Sequence, residues 1–319
     1  MVESHRPCAK SELIPDIIVP IKSATIAEDG NTMESITAEE NLAFLDALGH
    51  DEEPFGMHYS DRQPQDGFSP KQGVLPSAHQ EARGEVDFPS LFATFSCVIG
   101  NIWLARKRRT AAYFDREHFG CLGGAFYLGF LKPQLQFIAH YVSSGIPGVM
   151  EGERYLESPE AVTEFFTTVD PRQAPARYCV FKPVSQFTAD EEPEVVIFFA
   201  RPEVISGLNQ LATFVTNDFE AVTSPFGAGC TNIVTWPLKY LSEGKLKAVI
   251  GGWDPSDRKF LKPDEITFAM PYEMYRRMVT RWKESFLTTK TWAMVKKKIA
   301  MSRKAWGEAA RSSSEQHSM

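Results

Sequence analysis

Two short apolar runs in the middle of the chain restrict its fold most strongly. Residues 177–184 (RYCVFKPV) and 194–200 (EVVIFFA) are continuous apolar runs of strand length, which are typical of strands buried on both faces. A helical pattern over 202–215 starts with a proline in its first turn. Two more strands are predicted at 245–251 and 265–270. Strands that alternate with helices favour an α/β fold built on a mixed sheet.

The N-terminal half adds helices and strands to this centre. Residues 14–26 contain two prolines and predict an edge strand. Thr37 begins a capping box, which predicts a helix that ends at Gly49. A short strand is expected at 54–60 (PFGMHYS). Further helices are predicted at 97–109, at 121–130, at 133–143 and from Ser158 to Val169.

Composition divides the chain into three parts. Residues 1–36 are predicted to be peripheral, 37–274 to form the single main α/β domain, and 275–319 to form a basic helical extension. Within the domain, 61–89 is rich in Gln, Pro, Gly, Ser and charge, which indicates a long loop or insertion. Residues 275–311 hold 11 Lys/Arg and 2 Asp/Glu, which gives this segment a net charge of +9. Because the net charge of the whole chain is −7, the remaining residues carry −16.

The basic extension has three candidate partners. It could dock on the acidic body of the protein, on an anionic membrane surface, or on an acidic partner or nucleic acid. No nucleic-acid-binding motif is present, so nucleic acid is the least favoured of these. We therefore expect residues 275–311 to contact the body, a second copy in a homo-oligomer, or an acidic partner.

Three of the five cysteines each lie where a turn leads into a helix. Cys97 begins CVIGNIWLARKRR, Cys121 follows Gly120, and Cys230 follows a turn of small residues, Gly-Ala-Gly. The free N–H groups and positive dipole end of a helix N-terminus stabilise a thiolate, which predicts a lowered pKa for each. An odd number of widely spaced cysteines is not a disulfide framework, so these thiols are expected to be free.

The order of these motifs resembles the uncharacterised ArCR family, a family of unknown function. The resemblance covers residues 45–278 and includes Cys97, the turn Gly-Cys-Leu-Gly-Gly at 120–124, and Leu-Gly-Phe at 128–130. It continues through a buried strand and Arg-Pro-Glu at 201–203, Gly-Cys-Thr at 229–231, and a final strand after Arg258. The resemblance implies an α/β fold that brings the three cysteines together, and it supplies no reaction.

Three such thiols have three uses. They could ligate a metal ion or a [4Fe–4S] cluster, because soft thiolates suit both and three ligands leave one iron open to substrate or electron transfer. They could act as nucleophilic or redox thiols. They could also be small apolar side chains that fill a core. The absence of a C-x-x-C spacing weakens the first use, although ligands can converge from separate loops.

Other residues are weaker candidates. Arg258 follows a predicted strand end and could bind a carboxylate or phosphate of a substrate. His118 could be a fourth ligand or a proton donor, and His58 is a similar candidate, although a structural role is favoured for both. Cys179 is expected to pack within its strand, and Cys8 has no expected role.

These observations favour a cytoplasmic protein with a metal or iron–sulfur centre on Cys97, Cys121 and Cys230. The N-terminal residues lack the apolar core of a signal peptide, and no apolar run is long enough for a membrane helix. The centre would act on a small anionic molecule held by Arg258, or as a redox component, and oxidoreductase or lyase chemistry stays open. The alternative is a cofactor-free ligand-binding or accessory protein whose basic tail docks on an acidic partner or a membrane surface.

Overall fold

An eight-stranded mixed sheet organises the computed structural model, which describes residues 36–71, 97–131, 135–188 and 190–316. The strands run in the order β2-β3-β6-β1-β7-β10-β9-β8, and only the outermost pairs at each edge, β2–β3 and β8–β9, are parallel. A separate two-stranded ribbon is formed by β4 and β5. The strands are β1 Phe55–Ser60, β2 Gly67–Phe68, β3 Ala111–Phe114, β4 Gly145–Ile146, β5 Met150–Glu151, β6 Tyr178–Pro183, β7 Val195–Ala200, β8 Val222–Thr223, β9 Ala248–Gly251 and β10 Ile266–Pro271.

Helices connect these strands throughout the described ranges. They are α1 Ala38–Leu48, α2 Val98–Arg108, α3 Leu122–Tyr127, α4 Leu135–Val142, α5 Pro159–Val169, α6 Pro202–Thr216, α7 Trp236–Ser242, α8 Tyr272–Arg281 and α9 Lys290–Gln316. This arrangement confirms the predicted α/β fold with a mixed sheet. All the described residues belong to one compact unit.

Strand β7 separates two hydrophobic cores. Its residues Val195, Ile197 and Phe199 point into one core, while Val196, Phe198 and Ala200 point into the other. This alternation explains why the run VVIFFA is apolar throughout, as predicted for a strand buried on both faces. Helices must cover both faces for this strand to be stable.

The two cores take their helices from different parts of the chain. The first core contains apolar residues of α2, α3, α5 and α7. The second core contains apolar residues of α1, α6 and α8 and extends to Leu287 and Trp292. The cysteines predicted to form a site lie with the first core, whereas α9 begins at the second.

Local signals in the sequence set the ends of several helices. Thr37 and Glu40 form both hydrogen bonds of a capping box at the start of α1, and Gly49 ends that helix in the left-handed conformation. The Ser158 hydroxyl accepts a hydrogen bond from the Ala161 N–H at the start of α5. These predictions are confirmed, and each rests on contacts within a few residues of the chain.

The predicted boundary between the domain and the tail needs correction. Residue 275 lies inside α8, and the side chains of Tyr275 and Met278 are completely buried in the second core. Trp292 is also buried, and its Nε1 donates to the carbonyl oxygen of Ala47 at 3.1 Å. The main domain therefore continues to about Trp292, and only the later part of α9 extends beyond the core.

Some predictions fall on other parts of the chain. The edge strand at 14–26 and most of the insertion at 61–89 lie outside the described residues, whereas 67–68 form the short strand β2. Among the described residues, no helix combines the length and apolarity needed to cross a membrane.

Acid should destabilise the fold through His50. Burial of the His50 ring against Phe198 lowers the pKa of His50 from the usual 6.5 to about 4. The unfolded state therefore binds more protons between these values, so stability is fully present above pH 6.5 and falls as the pH approaches 4, by about 3 kcal/mol in total. Urea unfolding of the wild type and His50→Gln at neutral pH and near pH 4.5 measures this. The variant should lose distinctly less stability on acidification, and an equal loss in both proteins would contradict the assignment.

Truncation should distinguish the core part of the C-terminal segment from its extension. A chain that ends after Arg281 loses the buried side chains of Leu287 and Trp292, which should lower the free energy of unfolding by about 4 kcal/mol. A chain that ends after Lys298 keeps both side chains and should unfold close to the full-length protein. Denaturant unfolding of the three proteins tests this, and similar stability of both truncated chains would return the boundary to residue 275.

Candidate functional site

The three predicted cysteines all lie at helix starts on the first core. Cys97 and Cys121 are the N-cap residues of α2 and α3, and both have extended backbone conformations. Cys230 is already helical and precedes one π-helical turn, Thr231–Thr235, that leads into α7. Two of the thiols are partly exposed, while Cys230 is buried. The predicted position of each cysteine at a turn-to-helix junction is confirmed.

Backbone N–H groups surround the sulfur of Cys121. The Gly124 N–H donates to Cys121 Sγ at 3.2 Å, which caps α3. A hydrogen bond from the Val98 backbone also lowers the pKa of Cys121, and Val98 is the first residue of α2. The sulfur of one helix start therefore lies at the start of another. Thr235 adds a further link, because its hydroxyl donates to the carbonyl oxygen of Tyr127 in α3 at 3.1 Å.

A buried carboxylate joins the other two cysteine segments. The Cys97 thiol donates to Asp257 Oδ1 at 3.2 Å, and the N–H of Gly229, next to Cys230, donates to Asp257 Oδ2 at 2.9 Å. Asp257 is only 3% exposed, and burial, followed by the nearby charge of Asp254, raises its pKa to about 6. One side chain thus connects the loop after β9 to the starts of α2 and α7.

The structure raises the pKa of all three thiols, contrary to the sequence prediction. For each of the three, burial is the largest cause. Asp257 raises all three further, and the thiols act on one another: Cys121 raises the pKa of Cys97, and both raise that of Cys230. These mutual effects indicate that the thiols lie near enough to influence one another's titration. The effect of burial on the thiol pKa values therefore outweighs the effect of the helix N-termini, and the thiols are neutral in this structure.

Two glycines allow the cysteine segments to approach closely. A Cβ atom at Gly229 would lie 2.1 Å from Asp257 Oδ2, so any side chain there would displace the carboxylate. A Cβ at Gly124 would lie 2.5 Å from a methyl group of Val98. The glycine-rich turn at 120–124 therefore serves close packing around Cys121.

Acidic and phenolic groups surround the site. Asp254, in the same turn as Asp257, raises the pKa of Cys230 and of Glu153. Glu153 in turn raises the pKa of Tyr141 to about 12 after burial, which is the larger cause. Burial is the largest cause that raises the pKa of Tyr127. The local charge is therefore negative, which disfavours an anionic ligand.

Arg258 does not have the free guanidinium that the sequence prediction requires. It donates to four backbone carbonyl oxygens, those of Gly252, Lys262, Pro263 and Glu265, at 2.7–3.2 Å. The geometry gives Arg258 a structural role in the loop between β9 and β10, in place of the predicted contact with an anionic substrate. Its rigid loop holds the neighbouring Asp257 in position.

The histidines and Cys179 take structural positions. His118 Nδ1 lies 3.0 Å from the carboxylate of Asp115, and no contact of His118 with a cysteine is seen among the described residues. His58 is buried in β1 with its ring edge-on to Phe187, and burial lowers its pKa. Cys179 is fully buried in β6, which confirms that it packs in the core.

The donor set fits a soft metal centre in its chemistry. Three thiols with backbone N–H donors and an adjacent carboxylate are groups that thiophilic metals accept. In the described ranges, however, no group of three or more His, Cys, Asp and Glu side chains is arranged to hold one metal ion. The sequence analysis missed the roles of Asp257 and Tyr127, because a turn (WDPSDRK) and an apolar helix gave no sign of their burial beside the thiols.

Two adjacent glycines in α3 provide a matched test of this packing. Gly124→Ala should destabilise the protein by about 2 kcal/mol, because the new methyl group would overlap Val98 at the start of α2. Gly123→Ala meets only the Tyr127 ring at 3.6 Å, so it should be neutral or should stabilise the helix by up to about 1 kcal/mol. Thermal or urea unfolding of both variants is the measurement. Equal effects would show that the start of α3 does not pack tightly on α2.

Comparison with known families identifies the domain that contains these cysteines. The model of the uncharacterised ArCR family, domain of unknown function 169, matches residues 43–281. The chain matches no curated protein and no solved structure with which it was compared. The matched segment begins in α1, ends with α8 and includes Cys97, Cys121, Cys230 and Asp257. The chain therefore belongs to the uncharacterised ArCR family.

Proposed function

We propose that this protein is a cytoplasmic metalloprotein that holds an iron–sulfur cluster on Cys97, Cys121 and Cys230. The observation that carries this proposal is the set of hydrogen bonds that joins three helix starts with cysteines: Asp257 bonds both to Cys97 and to the backbone next to Cys230, and the Val98 backbone bonds to Cys121. Four segments of the chain, those of Cys97, Cys121, Cys230 and Asp257, contribute to these contacts. Cys97 and Asp257 are 160 residues apart in the sequence. A core filled only by apolar side chains does not need that convergence of polar groups.

The electrostatics of the site support a cationic occupant. Burial raises the pKa of each thiol, so three thiolates here need compensation by positive charge. A metal centre supplies that charge and displaces the thiol protons on binding. The N–H groups around Cys121 then donate to a sulfur that carries negative charge, which stabilises the bound state and tunes its potential.

Three thiolates suit a cluster, because cysteine sulfurs hold a [4Fe–4S] cluster, whereas a structural Zn²⁺ site needs four protein ligands. Three cysteine ligands leave one iron open for a substrate or an exogenous ligand.

The negative surroundings favour a redox role over action on a small anion. Asp254, Asp257 and Glu153 would repel an anionic substrate, and Arg258 is engaged with carbonyl oxygens. Electron transfer needs no anion to enter the site. An oxidoreductase component is therefore the favoured form of this proposal, and a lyase acting on an anionic molecule is less well supported.

A cofactor-free protein is the rival function, and one observation favours it. All three thiols are neutral in the protein without a cofactor, and a neutral cysteine packs as a small apolar side chain. In that case, the family domain would bind a small ligand or serve as an accessory protein. Metal content separates the two functions.

Serine substitutions should remove the cofactor selectively. Cys97→Ser, Cys121→Ser and Cys230→Ser should each lower the iron and sulfide content of anaerobically purified protein by at least about tenfold, because serine is a poor ligand for soft metals. At Cys97 and Cys121 a serine also suits the N-cap position, so the fold should persist. Iron and sulfide analysis with the visible spectrum is the measurement.

Cys179→Ser is the control, because Cys179 is buried like Cys230 but lies in β6. It should keep the wild-type iron content and change only the unfolding midpoint. If the wild-type protein binds no iron after anaerobic reconstitution, the rival function is supported. If all four variants lose metal together with their fold, the loss reflects unfolding and the ligand assignment fails.

A further inference from the structure

The helix α9 projects from the second core and is held to it along one stripe. Trp292 Nε1 and Lys296 Nζ donate to the Ala47 carbonyl oxygen at 3.1 and 3.2 Å. One turn and two turns further on, Ile299 is partly buried and Arg303 pairs with Glu203 of α6. Spacings of four, three and four residues put these side chains on a single helix face. The contacts fix the rotation of the helix about its axis.

The opposite face of α9 carries exposed apolar side chains. Met294 is 57% exposed and Met301 is 63% exposed. Two helical turns separate them, so they lie about 10 Å apart along the helix axis on one face. Exposed apolar side chains on a fixed face indicate a surface that binds a partner.

Lysines flank these apolar side chains. Lys297 and Lys298 are exposed on either side of the line from Met294 to Met301. The described part of α9 that lies outside the core, 293–307, has five Lys/Arg and no Asp/Glu. We call the exposed side chains of Met294, Lys297, Lys298 and Met301 the basic apolar face. A basic helix with an apolar stripe is typical of peptides and proteins that lie on anionic bilayers.

The charge distribution of the whole chain specifies how the protein would approach such a bilayer. Residues 275–311 carry +9 and the remainder carries −16, so an anionic surface repels the body and attracts this helix. The matched family segment ends at residue 281, before α9 begins. The basic apolar face is therefore an addition to the family domain.

We propose that the basic apolar face of α9 docks the protein on the surface of an anionic lipid bilayer. The lysines contact lipid phosphates and carboxylates, while Met294 and Met301 insert at the level of the headgroups. A bilayer takes up both kinds of side chain along this face at once. An acidic protein surface would pair with the lysines and leave the two methionines without apolar partners. This inference is independent of the cofactor.

Vesicle sedimentation of the full-length protein tests the proposal. The wild type should co-sediment with vesicles that contain phosphatidylserine and stay in solution with phosphatidylcholine alone, and added salt should weaken binding. Each lysine near such a surface strengthens binding by about fivefold, so Lys297→Glu with Lys298→Glu should weaken it by at least about 25-fold. Met294→Gln with Met301→Gln should weaken it in vesicles of the same charge, because the apolar contribution is lost.

The control moves the same charge change to the body. Arg62→Glu with Lys245→Glu alters two exposed basic residues away from α9 and should leave vesicle binding unchanged. The proposal is overturned if the wild type does not bind vesicles that contain phosphatidylserine. It is also overturned if the Arg62→Glu, Lys245→Glu control weakens binding as much as the Lys297→Glu, Lys298→Glu variant does. Sedimentation velocity in buffer tests the alternative partner, a second copy of the chain. If the wild type does not bind lipid and forms an oligomer that the Lys297→Glu, Lys298→Glu variant cannot form, the face is an interface between two copies.

Discussion

The burial of β7 on both faces is the constraint on which the rest of the structure depends. Six consecutive side chains, Val195–Ala200, are divided between two cores, and neither core is complete without helices from distant parts of the chain. The first core collects the helices whose N-termini carry the cysteines. The second collects α1, α6 and α8 and anchors the C-terminal helix through Trp292. The proposed cofactor site and the proposed membrane face therefore lie on opposite sides of one sheet.

The parts that could be predicted from the sequence are those set by short-range chemistry. The capping box at Thr37, the serine cap at residue 158 and the apolar run of β7 each depend on neighbouring residues, and each was placed to within about two residues. The three cysteine positions were found for the same reason, since a turn of small residues before a helix is visible locally. The family resemblance added the expectation that they meet.

The parts that could not be predicted depend on contacts between distant residues. The start of a helix is visible in the sequence, but the burial that reverses the expected pKa shift of Cys97 is not. Asp257 lies in a turn whose composition suits solvent, and it is buried only because Gly229 and Cys97 provide donors from elsewhere. Arg258 was predicted to be free to bind an anion, although the carbonyl oxygens that it binds lie within seven residues of it, because the composition of a loop does not show how the loop folds. Tyr275 seemed to begin a separate tail because its basic neighbours masked its burial.

The contact between Gly229 and Asp257 has an evolutionary consequence. A side chain at position 229 and a carboxylate at position 257 cannot share this space, since even a methyl group would lie 2.1 Å from the carboxylate oxygen. Within the family, these two positions should change together, even though they are 28 residues apart in the chain. A homologue with a larger residue at 229 should have a small or apolar residue at 257. Homologues with this pair of changes would have lost the cysteine site or would have it in an altered form.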